Sequence, residues 1–287
     1  MAGRIEVSEQ NAVMAQPQLI HARSDAPFYF AFAILGSTYV ILIIAMLIAD
    51  LGFTTTSHLL QALSSPEIRY AIKLSLISCT ITTILSLWVG VPLGYMLSRF
   101  QFPGKGAVDA ILDIPIVLPP LVIGLSLLIL FQTPVFRALD DRFPITYAVP
   151  SVILAQFSVA CAFAVRTMRI TFDQINPRGE QVALTLGCTR GQAFWMVVLP
   201  EARRGVMTAA TLAWARSLGE FGPILIFSGA TRLRTEVLST TVFLELSVGN
   251  IEAAVAVSLL MIAAAIIVLT LLRLFGSEST FGKAVEP

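Results

Sequence analysis

Residues 74–98 read LSLISCTITTILSLWVGVPLGYMLS, with no charged side chain between Lys73 and Arg99. An α-helix rises 1.5 Å per residue, so about 20 apolar residues cross the roughly 30 Å of hydrocarbon in a bilayer. A barrel strand needs only about 9–11 residues and alternates apolar with polar. This stretch is longer than that and keeps no period of two, so it predicts a membrane helix.

Four further gaps between charges are as long: 26–49, 114–136, 143–165 and 253–272. A sixth apolar span, about 206–227, carries Arg216 and Glu220 near its middle. Composition agrees, because 56% of residues are hydrophobic, 13% are charged and the mean hydropathy is +0.82, outside the range of soluble domains. The reading is an all-α, polytopic membrane protein with about six transmembrane helices. The first apolar stretch exceeds the roughly 7–15 residues of a signal-peptide core, so it is expected to be a mature helix. The expected organisation is a polar cytoplasmic tail (1–26), a transmembrane domain (27–275) with a cytoplasmic loop at about 166–205, and a short polar C-terminal tail (276–287).

Lys and Arg set the orientation. With the N-terminus inside and sides alternating, the inner side takes Arg4, Arg23, Arg99, Lys105, Arg166, Arg169, Arg178, Arg190, Arg203, Arg204, Arg273 and Lys283. The outer side takes half as many: Arg69, Lys73, Arg137, Arg142, Arg232 and Arg234. Both termini are therefore predicted inside.

Several chemistries are excluded. Cys79 and Cys161 fall in spans and Cys188 on the inner side, which suggests no disulfide framework. The two histidines, His21 and His58, are too far apart in sequence for a metalloprotease helix or a zinc cluster. There is no Gly-x-Ser-x-Gly elbow. Pro103-Gly104-Lys105-Gly106 lacks the earlier glycine and the following Ser or Thr of a phosphate loop. No nucleotide site is expected, so any nucleotide drive must come through a partner. Asp109 and Asp113 are near each other but close to the end of a span, where interfacial solvation is the simpler reading.

The segment from Arg166 to Arg204 is too charged for the membrane and too long to lack structure. Asn176 can cap a helix with Pro177 at its first position. Val182, Ala183 and Leu186 then share a face, and Gly187 ends the helix. Thr189 with Gln192 forms a capping box for a second helix, with Phe194, Val197 and Val198 on one stripe, predicted to stop near Leu199-Pro200.

Gln181-Val182-Ala183, Gly187 and Val197-Val198-Leu199-Pro200 together resemble the cytoplasmic "EAA" loop of binding-protein-dependent ABC permeases. The departures are Gln181 for the usual first glutamate, with Glu180 one place earlier, and Val197 where Ile is common. Tyr95-Met96-Leu97-Ser98-Arg99, Phe102-Pro103-Gly104-Lys105, Ile114-Pro115-Ile116-Val117-Leu118-Pro119-Pro120 and Ala215-Arg216-Ser217-Leu218-Gly219-Glu220-Phe221-Gly222 are similar to the molybdate, tungstate and sulfate permease group. The likeness runs from about residue 70 to 275.

The resemblance implies a type I importer permease fold in a bacterial-type inner membrane. It also implies a coupling helix, made by Glu180, Gln181, Val182, Ala183, Gly187, Cys188, Thr189, Gln192 and Pro200, that docks on a separate ATPase. ATP and Mg would sit on two such ATPase subunits, so no cofactor is expected in this chain and it is not expected to be an enzyme. Implied partners are a second permease, either another copy or a paralogue, and an external binding protein. The substrate would be a tetrahedral oxyanion, molybdate or tungstate first and sulfate next.

Pro119 and Pro120 remove backbone donors within a span, which requires protein or a watery cavity to satisfy the freed carbonyls. Together with Pro115 they are expected either to border the pathway or to kink a helix that only packs. Arg216 and Glu220, four residues apart on one helix face, are expected to lie near the bilayer centre as a pair, with Ser217 beside them. Arg216 is either part of a gate for anions, with Gly219 and Gly222 allowing close approach, or half of an ion pair that only orients helices. The segment 229–250, with Arg232, Arg234, Glu236 and Glu245, is either where an external receptor could dock or a loop whose charges are simply solvated. The short, polar 276–287 implies that the regulatory domain of some molybdate permeases is missing. The other readings are a permease for another small solute, a secondary transporter or channel, and an intramembrane enzyme. A secondary transporter predicts inverted repeats and charges in several spans, and an enzyme needs a nucleophile with a base or a metal.

Overall fold

A computed structural model describes residues 26–277. The expected tails, residues 1–25 with His21 and everything beyond Ser277, lie outside the described residues. Helix α1 (Ala26–Phe53) is apolar and capable of spanning a bilayer. The hydroxyls of Ser37 and Thr38 donate to the carbonyl of Ile34, at 3.0 and 2.8 Å, so neither is left unpaired in lipid. Among the described residues, 26–49 belong to one unit and 50–277 to another, which holds the remaining helices.

The second unit begins with α2 (Thr56–Ser64) and α3 (Pro66–Arg99), followed by α4 (Lys105–Val117), α5 (Pro120–Gln132), α6 (Pro134–Arg142) and α7 (Val149–Gln174). A run of short elements comes next: α8 (Arg178–Thr185), α9 (Arg190–Ala193), a π-helical turn (Phe194–Val198) and α10 (Leu199–Glu201). Then come α11 (Arg203–Leu218), a second π-helical turn (Ile224–Ser228), α12 (Leu238–Ser247) and α13 (Ile251–Ser277). Among the described residues four helices are long and apolar enough to cross a membrane, and five if α4 and α5 together make one crossing.

The most extensive packing is α3 against α7, with α11 against both. Small residues permit it. A Cβ at Gly94 would lie 2.8 Å from the Met168 Cβ, and one at Gly90 would lie 3.1 Å from the Ala164 Cβ. Gly90 and Gly94 form a G-x-x-x-G pair, the spacing that lets membrane helices touch backbone to backbone. Gly94→Val is expected to lower stability by about 1–3 kcal/mol, as overpacking does, whereas Gly106→Val, which meets nothing within 4 Å, changes it little. Thermal unfolding in detergent checks this.

The structure corrects several expectations. The span at 114–136 is not one helix, because α4 and α5 are bent by 113° across Leu118 and Pro119. Pro119 and Pro120 cannot donate to the preceding turn, so the helix has to restart. The span at 143–165 becomes α7, which begins at Val149 and runs to Gln174 past Arg166 and Arg169. Those two arginines form ion pairs with Asp113 and Asp109 of α4, so the aspartates are partnered rather than simply solvated. The long charged segment expected to leave its helix at 166 therefore does so near Ile175. Finally, 206–227 is α11 followed by a break at residues 219–223 and a π turn, and 229–250 contains a helix, α12, with Leu238, Thr240, Thr241 and Glu245 buried.

On the predicted outer side, His58 of α2 lies 3.2 Å from Glu252 of α13, and Arg232 pairs with Glu245 at 2.7 Å. Glu236 is fully buried in the loop before α12. Burial pushes its carboxyl above the usual range, opposed in part by the nearby Thr241 hydroxyl and the charge of Arg232. A raised carboxyl pKa means stability that is present at acid pH and lost as pH rises through the folded value. Glu236→Gln is therefore expected to unfold at a higher temperature relative to the parent at pH 8, with the gap narrowing toward pH 5.

Candidate functional site

Asn176 caps the start of the segment after α7 as expected, its Oδ1 accepting from the Arg178 N–H at 3.0 Å with Pro177 in helical conformation. In α8 the side chains split between two faces. Glu180 and Ala183 are buried, while Gln181, Val182 and Leu186 are exposed, Val182 by 56% and Leu186 by 80%. Contrary to the expectation from the sequence, Ala183 therefore does not share a face with Val182 and Leu186. It is the anchor, and Val182 with Leu186 makes an apolar outward surface.

Glu180 holds this helix to the membrane domain. Its carboxylate accepts from the Tyr95 hydroxyl and lies 3.4 Å from Arg99 Nε, both on the last turn of α3. Arg99 Nη2 also donates to the Ile175 carbonyl at 2.9 Å. One arginine thus ties both the entry to α8 and its buried glutamate. The Tyr95 ring packs edge-on against Phe172 of α7 and Phe194 of the first π turn. Sequence reading missed Tyr95 and Arg99 as anchors, although their four-residue spacing places them on one face of α3.

Gly187 has φ +90°, a conformation that disfavours any side chain, and nothing lies within 4 Å of its would-be Cβ. The Cys188 N–H donates to the Ala183 carbonyl at 3.1 Å and that of Gly187 to Leu184 at 3.1 Å, which closes the end of α8. Cys188 is half-buried and its thiol is free. The predicted capping box is present: Gln192 N–H donates to Thr189 Oγ1 at 3.3 Å, and Thr189 N–H donates to Gln192 Oε1 at 2.8 Å. Thr189→Ala is expected to cost about 1 kcal/mol, speeding amide exchange at Gln192 about fivefold.

The chain does not stop at Leu199-Pro200. Pro200 has no N–H to give, and the turn before it widens to a π-helical one, with Leu199 N–H bonded to Phe194 O. Ala202 and Val206 then donate to Val198 and Ala202, each at 2.9 Å, so helical bonding passes into α11. From Arg190 to Leu218 the backbone follows one helical path of about 40 Å. Phe194 and Val197 are half-buried and Val198 buried, the predicted stripe, while Trp195 and Met196 are exposed.

At the far end of that path, Arg216 Nη1 lies 2.8 Å from Glu220 Oε2, with the arginine side chain 30% exposed and the glutamate 1%. The guanidinium also lies 5.9 Å from the centre of the Phe163 ring. Ser217 is buried, and its hydroxyl donates to the Ala213 carbonyl at 2.8 Å. Gly219 ends α11 with its would-be Cβ no closer than 3.8 Å to anything, so it serves the break and not helix contact. Gly222 is a contact residue: a Cβ there would lie 2.9 Å from Leu121 N and from Pro120 Cβ. One at Gly124 would lie 2.7 Å from Pro223 Cα. The two interrupted membrane segments, at Pro119-Pro120 and at residues 219–223, thus pack against each other.

The model of the family "Binding-protein-dependent transport system inner membrane component" matches residues 90–277. The chain is 30% identical to a sulfate transport system permease protein of Escherichia coli, over 84% of this chain and 88% of that one. It is 36% identical to a molybdate/tungstate transport system permease protein of Thermococcus kodakarensis, over 71% of this chain and 79% of that one. Its fold is that of a chain in the crystal structure of a bacterial alginate ABC transporter in complex with an alginate pentasaccharide-bound periplasmic protein. The TM-score is 0.72 at 18% identity, covering 90% of this chain and 97% of the other.

Proposed function

We infer, because the chain belongs to the inner-membrane components of binding-protein-dependent transport systems, that it is an importer permease passing a tetrahedral oxyanion and driven through α8 by a separate ATPase. The observation that carries the coupling role is the anchored helix itself. Glu180 fixes α8 from within, Val182 and Leu186 face outward, and the helical path that follows ends at Arg216. A push on that surface passes through the short turn at 186–189, which the Thr189 capping box holds, into the helical path that leads to Arg216.

In this reading two ATPase subunits, with ATP and Mg, seat against two such helices, one from this chain and one from a second permease, a further copy or a paralogue. Closure of the motor draws the coupling helices together and opens the cavity outward to accept the anion from an external binding protein. Hydrolysis resets it. The excess of Lys and Arg on the α8 side supports cytoplasmic termini. The names of the relatives support molybdate, tungstate or sulfate as cargo. All three are tetrahedral dianions, and Arg216 is a cation of matching sign near the middle of a broken span.

Reconstitution into vesicles with the ATPase and binding protein tests this. The expected result is ATP-dependent accumulation of molybdate or tungstate, or else sulfate. ATP hydrolysis with none of the three accumulated would overturn the substrate class, and accumulation driven by an ion gradient without the ATPase would overturn the coupling.

A further inference from the structure

We infer that Gln156 is a positioning residue that clasps the broken end of α11 and so sets the place of the Arg216–Glu220 pair. The inference rests on the reading of that pair as part of the pathway. Gln156 is on α7 and 1% exposed. Its Nε2 donates to the Ser217 carbonyl at 3.2 Å and lies 3.6 Å from Cys79 Sγ, and its Oε1 accepts from the Thr82 hydroxyl at 3.2 Å. One carboxamide therefore bridges α3, α7 and α11.

The need for such a clasp follows from the break. The last carbonyls of a helix have no partner in the next turn, and a membrane offers no water to replace it. Ser217 lies between Arg216 and Glu220, and its carbonyl accepts from the Glu220 N–H at 3.2 Å as well as from Gln156. Beyond the break, Ser239 of α12 donates to the Glu220 carbonyl at 2.7 Å. Donors from α7 and α12 thus hold the two sides of the interruption. Thr82 occupies the oxygen of the carboxamide and so turns its nitrogen toward α11.

This arrangement requires one donor and one acceptor in a planar group. Leucine has neither. Ionised glutamate keeps the acceptor for Thr82 and loses the donor for Ser217, whereas protonated glutamate restores both. Uptake per assembled complex and amide exchange at residues 217–222 are measured in Gln156→Leu and Gln156→Glu, each against the parent at the same pH.

Removing the side-chain donor from the Ser217 carbonyl, which then keeps only backbone partners within its own turn, is expected to lower the uptake rate about tenfold and to speed local exchange by a similar factor. The half-saturating anion concentration stays unchanged. Gln156→Leu shows this at every pH. Gln156→Glu shows it wherever its carboxyl is ionised and recovers toward the parent wherever the carboxyl is protonated. Parental uptake and exchange in both variants would overturn the inference, as would faster exchange spread evenly over the chain. If the parent complex moves none of the three oxyanions, the proposed cargo fails, and the exchange measurement still decides the role of Gln156.

Discussion

Glu180→Ala is expected to lower ATP-driven uptake by about 100-fold or more while the protein still inserts, because it removes the buried charge that holds the coupling helix. Arg99 and Glu180 side chains are only 14% and 10% exposed, so deleting the carboxylate leaves a shielded guanidinium and the Tyr95 hydroxyl without their partner. Breaking a buried pair this way costs about 3–5 kcal/mol, more than the cap at Thr189 supplies. α8 is eight residues long and has little else to fix it. Tyr95→Phe keeps the aromatic packing with Phe172 and Phe194 and loses one hydrogen bond, so its expected loss is about tenfold or less. Uptake in Glu180→Ala equal to the parent would remove α8 from the coupling path.

The second large effect is expected at the intramembrane pair. Arg216→Leu leaves Glu220, 1% exposed, without its counter-ion, and a charge at the bilayer centre costs about 2.5–3.5 kcal/mol by insertion scales. Assembled complex falls, and uptake falls by about 100-fold. The double change Arg216→Leu with Glu220→Leu separates a gate from a packing role. Two apolar side chains restore assembly, since removing both members of a buried pair is often neutral. If Arg216 acts on the anion, uptake stays low. Recovery of uptake to near the parental rate would make the pair a structural tie between helical turns, and Arg216→Lys at full rate would point the same way.

Much of this was legible in the sequence. Charge-free gaps found every long membrane helix, since desolvating a charge is the strongest constraint in the chain. The same rule misplaced the end of α7 by nine residues, because Arg166 and Arg169 continue the helix by pairing with Asp113 and Asp109. That partnership is 53 and 60 residues distant and leaves no local trace. The caps at Asn176, Gly187 and Thr189 were readable because each is satisfied within a few residues. The anchors of Glu180 were not, since Tyr95 and Arg99 come from another helix. Pro119-Pro120 signalled an interruption but not its 113° bend, which depends on the packing of Gly222 and Gly124 across it. Pro200 looked like a stop, but helical bonding continues past it after the π turn at Phe194–Val198. Gln156 drew no notice, because a lone amide in an apolar helix reveals its purpose only when Ser217 and Thr82 arrive beside it.

The central claim is that the outward face of α8 receives a separate ATPase. The direct measurement is capture of the tagged permease from mild detergent, with mass spectrometry of what accompanies it, for the parent and for Val182→Asp with Leu186→Asp. Both side chains are exposed, so the substitutions leave the Glu180 anchor intact. The account predicts a nucleotide-binding ATPase with the parent, in two copies per two permeases, and its loss from the variant while the permeases remain paired. An ATPase retained equally by both proteins, or absent from the parent in every detergent tried, would contradict it.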